Sequence, residues 1–209
     1  MRITWIILAL AMLMVGAPAY SVAQKVVNGG FESGLTGWTT GTYGAPTVVT
    51  SGTYGVTAQE GSHFLSADLT RYDRVPKTVL SQSFTAPLAD TWYEAVGYVY
   101  VHFSGAVGAK QASITLDWGD GTVERWNPSA FDTWSLIDTA HFTQFDSPSA
   151  MKLSLEVYGD PLQAGDFVLF DDVNFFEYST AVPEPGSMVA LTALLGAFGL
   201  ALRRRGCKS

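Results

Sequence analysis

Between residues 24 and 179 short apolar or aromatic runs alternate with clusters of Gly, Pro, Ser, Thr and Asp, and no window sustains a 3.6-residue period. This pattern predicts strands at Val26–Val27, Thr47–Thr50, His63–Ala67, Val79–Phe84, Tyr93–Phe103, Ala112–Trp118, Thr122–Trp126, Trp134–His141, Met151–Tyr158 and Phe167–Tyr178. So many short strands in one domain-sized stretch predict an all-β sandwich. Alternation assigns the faces. Ala95, Gly97, Val99, Val101 and Phe103 turn to the core, while Glu94, Tyr98, Tyr100 and His102 turn outward. In Met151–Tyr158 the inward set is Met151, Leu153, Leu155 and Val157, which leaves Lys152, Ser154, Glu156 and Tyr158 outside. Asp120-Gly121 between two strand-like runs reads as a hairpin turn rather than a cation loop.

The two ends follow another pattern. Arg2 precedes an apolar stretch from Ile3 to Val15, and Ala17-Pro18-Ala19 and Ser21-Val22-Ala23 offer small residues for cleavage, so residues 1–23 read as a secretory signal peptide cut after Ala23. Residues 180–209 carry Val182-Pro183-Glu184-Pro185, a hydrophobic helix over 186–202 and a basic tail over 203–209 that opens with Arg203, Arg204 and Arg205. The charge-free run Met188–Leu202 is short against the roughly 20 residues of a stable span, and the arginines fix its cytoplasmic end. The body is thereby placed outside the inner membrane, transiently anchored and then at the cell surface or extracellular.

Five of the 12 Lys and Arg residues lie in these two ends, so the exported body is more acidic than the whole chain's net charge of −7. Such a surface repels phosphate backbones and excludes nucleic acid as a partner. The single cysteine, Cys207, follows the apolar run, so the body has no disulfide and no cysteine metal site.

The Pro-Glu-Pro motif, short hydrophobic helix and basic tail together resemble the PEP-CTERM sorting signal of bacterial exported proteins. The resemblance implies recognition by an exosortase, a membrane protease-transpeptidase, and a setting of extracellular polysaccharide. In the body, Asn28-Gly29-Gly30-Phe31-Glu32 with Gly37-Trp38, then Gln59-Glu60-Gly61-Ser62-His63-Phe64-Leu65, Leu80-Ser81-Gln82-Ser83-Phe84 and Phe170-Asp171-Asp172-Val173 follow an order similar to the jelly-roll sandwiches of the carbohydrate-binding-module and galactose-binding-like superfamily. That resemblance implies a structural calcium ion held by Glu32, Glu60, the carbonyl of His63 and Asp171. Parity places Asp171 on the face of Val173 and Phe175, and the alternative to calcium is a carboxylate satisfied by backbone N–H groups.

The leading expectation is a non-enzymatic surface or matrix protein sorted by an exosortase. The alternative is a glycan-binding module that uses the outward Tyr98, Tyr100 and His102 with Tyr158. A glycoside hydrolase would need paired carboxylates from Asp117, Asp120, Glu124 and Glu156, and no catalytic motif accompanies them. The sorting expectation has a direct test. Replacing Pro183, Glu184 and Pro185 by alanine leaves export intact and blocks tail removal, seen as a membrane-retained chain of larger size; maturation to the wild-type size and location would refute it.

Overall fold

The computed structural model describes residues 20–41, 46–67, 73–104, 111–143, 149–159 and 165–180. Residues 1–19 of the expected signal peptide 1–23, and the expected sorting motif Val182, Pro183, Glu184, Pro185 with Arg203, Arg204 and Arg205, lie outside the described residues.

Among the described residues the alternating pattern resolves into eleven strands: β1 (Tyr20–Gln24), β2 (Thr39–Thr40), β3 (Thr47–Thr50), β4 (His63–Ala67), β5 (Asp73–Phe84), β6 (Thr91–His102), β7 (Gln111–Asp117), β8 (Val123–Trp126), β9 (Trp134–Thr143), β10 (Met151–Gly159) and β11 (Phe167–Thr180). One sheet runs β3-β4-β11-β6-β9, with β1 added against β11, and the other runs β2-β5-β10-β7-β8. They form an all-β sandwich over a unit spanning Val22–Ser179.

The inner faces agree with the alternation. Ala95, Val99 and Val101 of β6 and Met151, Leu153, Leu155 and Val157 of β10 are all buried in the one principal core. Gly97 occupies a core-facing position where a Cβ would stand 2.7 Å from Cδ1 of Ile114. Its missing side chain lets Ile114 of the opposite sheet approach closely. The hairpin at Asp120-Gly121 joins β7 to β8: Trp118 N–H donates to the Thr122 carbonyl at 3.0 Å, and Gly121 adopts φ 94.

β5 begins at Asp73, six residues before the expected Val79, and two strands differ in kind from the sequence pattern. Val26–Val27 is not a strand, because the Gln82 side chain takes both backbone groups of Val27, accepting its N–H at 3.1 Å and donating to its carbonyl at 2.7 Å. The pairing strand is the earlier β1, which begins at Tyr20 and so uses residues that cleavage after Ala23 would remove; cleavage after Ala19 keeps it whole. The second difference is β2, two residues paired with Ser81 and Leu80, too short for alternation to reveal.

The strand that organises the first sheet is β11, and it carries a bulge. Phe170 faces Val99, Asp171 faces Tyr98, and pairing resumes only with Asn174 opposite Val96. Asp172 absorbs the extra residue at φ 46. Phe170 and Val173 therefore both reach the core, and Asp171 turns to the opposite side, with Leu169 and Tyr98. Its parity with Val173 and Phe175 is broken by the bulge.

The faces respond differently to substitution. Val99→Asp buries an unpaired charge at a fully enclosed site and abolishes the cooperative urea transition. Tyr98→Ala keeps that transition; its loss would show that the faces of β6 are reversed.

Candidate functional site

Two regions of the first sheet gather most of the residues singled out in the sequence. The first is a corner built by Asn28–Glu32, the loop over residues 56–62 and the β11 bulge. Asn28 shapes the turn after it: its amide donates to the carbonyls of Gly34 at 2.9 Å and Thr36 at 3.3 Å, and its oxygen accepts from Ser33 N–H at 3.0 Å. Gly29 lies so close to β11 that a Cβ would sit 1.8 Å from the Val173 carbonyl oxygen. Phe31 is fully buried and stacks on Trp38, whose indole N–H donates to the Asn28 carbonyl at 3.0 Å.

Two carboxylates then pin the loop. Glu32 accepts from the N–H groups of Ser62 and His63, both at 2.7 Å, from the Ser62 hydroxyl at 2.9 Å, and meets Nδ1 of His63 at 3.0 Å. The His63 side-chain bond, then the Ser62 N–H, hold its carboxyl down at about 2. Asp171 is fully enclosed. Its Oδ2 accepts from Gln59 N–H at 2.6 Å and Glu60 N–H at 3.0 Å, and its Oδ1 from Asp172 N–H at 2.8 Å. Burial pushes this carboxyl up to about 6, and the three N–H groups work against that shift.

Hydrogen bonds thus join Glu32 and the β11 bulge to the same loop, at the residues to which the family resemblance assigns a calcium ion. Among the described residues no three His, Cys, Asp or Glu side chains gather as a metal-holding group. Glu60 differs from Glu32 and Asp171. Its carboxyl is raised by desolvation, then by the charge of Asp172, with which it also shares a side-chain hydrogen bond, and by the charge of Glu32.

The second region is the outer face of the same sheet. Tyr98, Tyr100 and His102 line β6, joined by Phe167 and Leu169 of β11, Phe64 of β4 and Trp134 of β9, which is opposite Tyr100 in the ladder. Phe167 stacks on Tyr54 (4.5 Å between centroids), Tyr100 (5.9 Å) and His102 (5.0 Å). Trp134 meets Tyr98 at 6.5 Å and Tyr100 at 5.6 Å edge-on. It reaches back across the face to Phe64 at 6.0 Å, and its indole N–H donates to the Thr57 carbonyl at 2.8 Å.

Beneath these rings Val56, Phe64 and Leu169 form a small second core that seats the 56–62 loop. Tyr54, 52% exposed, is the outermost ring. A polar rim adjoins it: Nδ1 of His102 lies 2.5 Å from Asp132 Oδ1, and burial, then the charge of Asp132, raises the Tyr100 hydroxyl. An apolar ring platform beside a carboxylate and an imidazole can stack on a sugar face and bond its hydroxyls.

Tyr158 does not join this face. It lies on β10, in the other sheet, opposite Gln111 of β7, and a sequence cannot say which sheet an outward residue belongs to. The outward stripe that parity gives leaves out Tyr54, Asp132, Trp134 and Phe167. Parity with Leu169 marks Phe167, whereas Trp134 is recruited by cross-strand register, which no local pattern encodes.

The four candidate hydrolytic carboxylates are separately engaged. Asp117 and Asp120 accept from Gly119 and Thr122 N–H within the hairpin, Glu124 lies 3.1 Å from Nδ1 of His141, and Glu156 pairs with Arg125 at 2.9 Å.

No protein-family model and no curated protein matches the sequence. Solved structures do match. The carbohydrate-binding module TmCBM61, solved with β-1,4-galactotriose, is 15% identical with a TM-score of 0.51, over 73% of this chain and 97% of that one. The CBM22-1 xylan-binding domain of Paenibacillus barcinonensis Xyn10C is 20% identical with a TM-score of 0.52, over 80% and 100%. A cyclase from Fischerella sp. is 18% identical with a TM-score of 0.58, over 78% and 98%. The jelly-roll fold of carbohydrate-binding modules is therefore shared by this chain, and the same fold also hosts a cyclase.

The corner predicts its own weak point. Asp171→Ala strips the Gln59 and Glu60 N–H groups of their acceptor and costs about 1–3 kcal/mol, read from the shift of the urea midpoint; an unchanged midpoint would show that Asp171 does not hold the loop.

Proposed function

We propose that the exported body is a non-enzymatic carbohydrate-binding module that holds a neutral polysaccharide on the outer face of the six-stranded sheet. The observation that carries this reading is the contiguous set of rings from Tyr98 and Trp134 through Tyr100 and Phe167 to Tyr54, rimmed by His102 and Asp132. Its likeness in fold to a galactotriose-bound module and a xylan-binding domain supports the same class of ligand. Asp132 at the rim and the acidic body disfavour anionic sugars. Glycan binding therefore takes precedence over a purely structural matrix role, and the engagement of Asp117, Asp120, Glu124 and Glu156 supports a role without hydrolysis.

Delivery remains the sorting proposal: an exosortase acting on Val182–Pro185 would leave the module at the surface, among the polysaccharide it binds. Calcium is proposed as an addition to the corner. Glu32, Glu60, the His63 carbonyl and Asp171 would hold it, as the family resemblance implies. A melting temperature that is identical in excess calcium and in chelator would remove calcium from the account and leave the hydrogen-bonded corner intact.

The binding reading is tested by glycan-array screening of the exported chain, followed by retention of Tyr54→Ala on the best polymer. Loss of one stacking ring weakens binding by about 1 kcal/mol, roughly fivefold, with the circular-dichroism spectrum unchanged. Retention equal to wild type would overturn the site, and an array without any bound glycan would overturn the function.

A further inference from the structure

The last rungs of β11 expose a different set of apolar residues. Tyr178 stands opposite Trp92 of β6, and Trp92 stands opposite Phe142 of β9, so three aromatic residues lie abreast on one face. The rings of Trp92 and Phe142 are 5.1 Å apart, and the two residues are 50% and 36% exposed. Leu88, 52% exposed, lies on the loop before β6 and is held through residues of the opposite, inner face. Its N–H donates to the Tyr93 hydroxyl at 3.0 Å, and its carbonyl accepts from the Thr143 hydroxyl at 2.5 Å. The Tyr178 hydroxyl donates to Glu94. The patch lies at the far end of β6 from His102.

The chain leaves the sandwich at this same end. β11 finishes at Thr180, and the apolar run begins at Met188 and is closed by Arg203, Arg204 and Arg205. The residues between reach at most ~3.3–3.6 Å each, so the start of the run stays within about 30 Å of Thr180. Trp and Tyr are the side chains that settle at the boundary between headgroups and acyl chains. A tether of this length also raises the local concentration of a bilayer surface to a level at which a small patch suffices.

We propose that, while the C-terminal run is in the membrane, this end of the body docks on the bilayer with Trp92, Phe142 and Tyr178 at headgroup depth. The proposal rests on the anchored-tail reading. Asp90, Glu94 and Asp138 lie around the patch, so the lipid surface it fits is zwitterionic rather than anionic. The patch shares the outer face of the sheet with the proposed glycan site and lies at the opposite end of β6 from His102.

The test uses the exported chain purified from membranes with its tail in place and reconstituted in phosphatidylcholine vesicles brominated near the headgroup. Flotation with the vesicles reads anchoring, and quenching of tryptophan emission reads docking. The expected result is flotation with quenching in wild type, and flotation with that quenching lost in Trp92→Phe, an exposed position where the fold is kept. Flotation without quenching, or with quenching equal in the variant, overturns the docking and leaves the anchor standing. A chain that does not float overturns both. An unquenched chain that sediments as a Trp92-dependent dimer after extraction assigns the patch to a second copy and overturns docking on lipid.

Discussion

Everything distinctive in this sandwich depends on one buried carboxylate. Asp171 is enclosed because the β11 bulge turns it out of the core and under the 56–62 loop, where its oxygens meet the N–H groups of Gln59, Glu60 and Asp172. A buried charge is tolerated only with such partners, so the loop cannot drift without exposing the cost. The same loop carries Val56 into the small outer core and offers the Thr57 carbonyl to Trp134. The position of the aromatic face is therefore inherited from a polar contact beneath its edge.

The two acids of the corner titrate in opposite senses. Glu32, held down at about 2, contributes stability above its ordinary range and loses it as pH falls toward 2. Asp171, pushed up to about 6, binds a proton more tightly folded than unfolded, so its share of stability declines as pH rises from about 4 to 6. The hydrogen bonds that it accepts limit that decline. Charge is managed elsewhere by pairing, as where Lys25 meets Glu177 at 2.8 Å beside β1.

The sequence made the core legible because a half-buried strand must alternate. Val99 and Leu155 were placed by parity alone, and the Asp120-Gly121 turn by its chemistry. Val26–Val27 misled because its backbone is satisfied by the Gln82 side chain, a contact 55 residues away. Asp171 was drawn to the wrong face because parity assumes an unbroken pleat, and Asp172 breaks it at φ 46. Tyr158 was grouped with Tyr98 and Tyr100 because alternation gives inside or outside but not which sheet. Tyr54 and Trp134 join the aromatic face through a loop and a register that only the assembled sheet defines.

The most direct measurement of the central claim is amide hydrogen exchange across the body with and without a bound polysaccharide. The account predicts added protection over residues 53–58, around His102 and over Phe167–Leu169, with the outer face of the five-stranded sheet unaffected. Protection centred instead on Ser154–Tyr158 of β10 would place the ligand on the opposite sheet and contradict it.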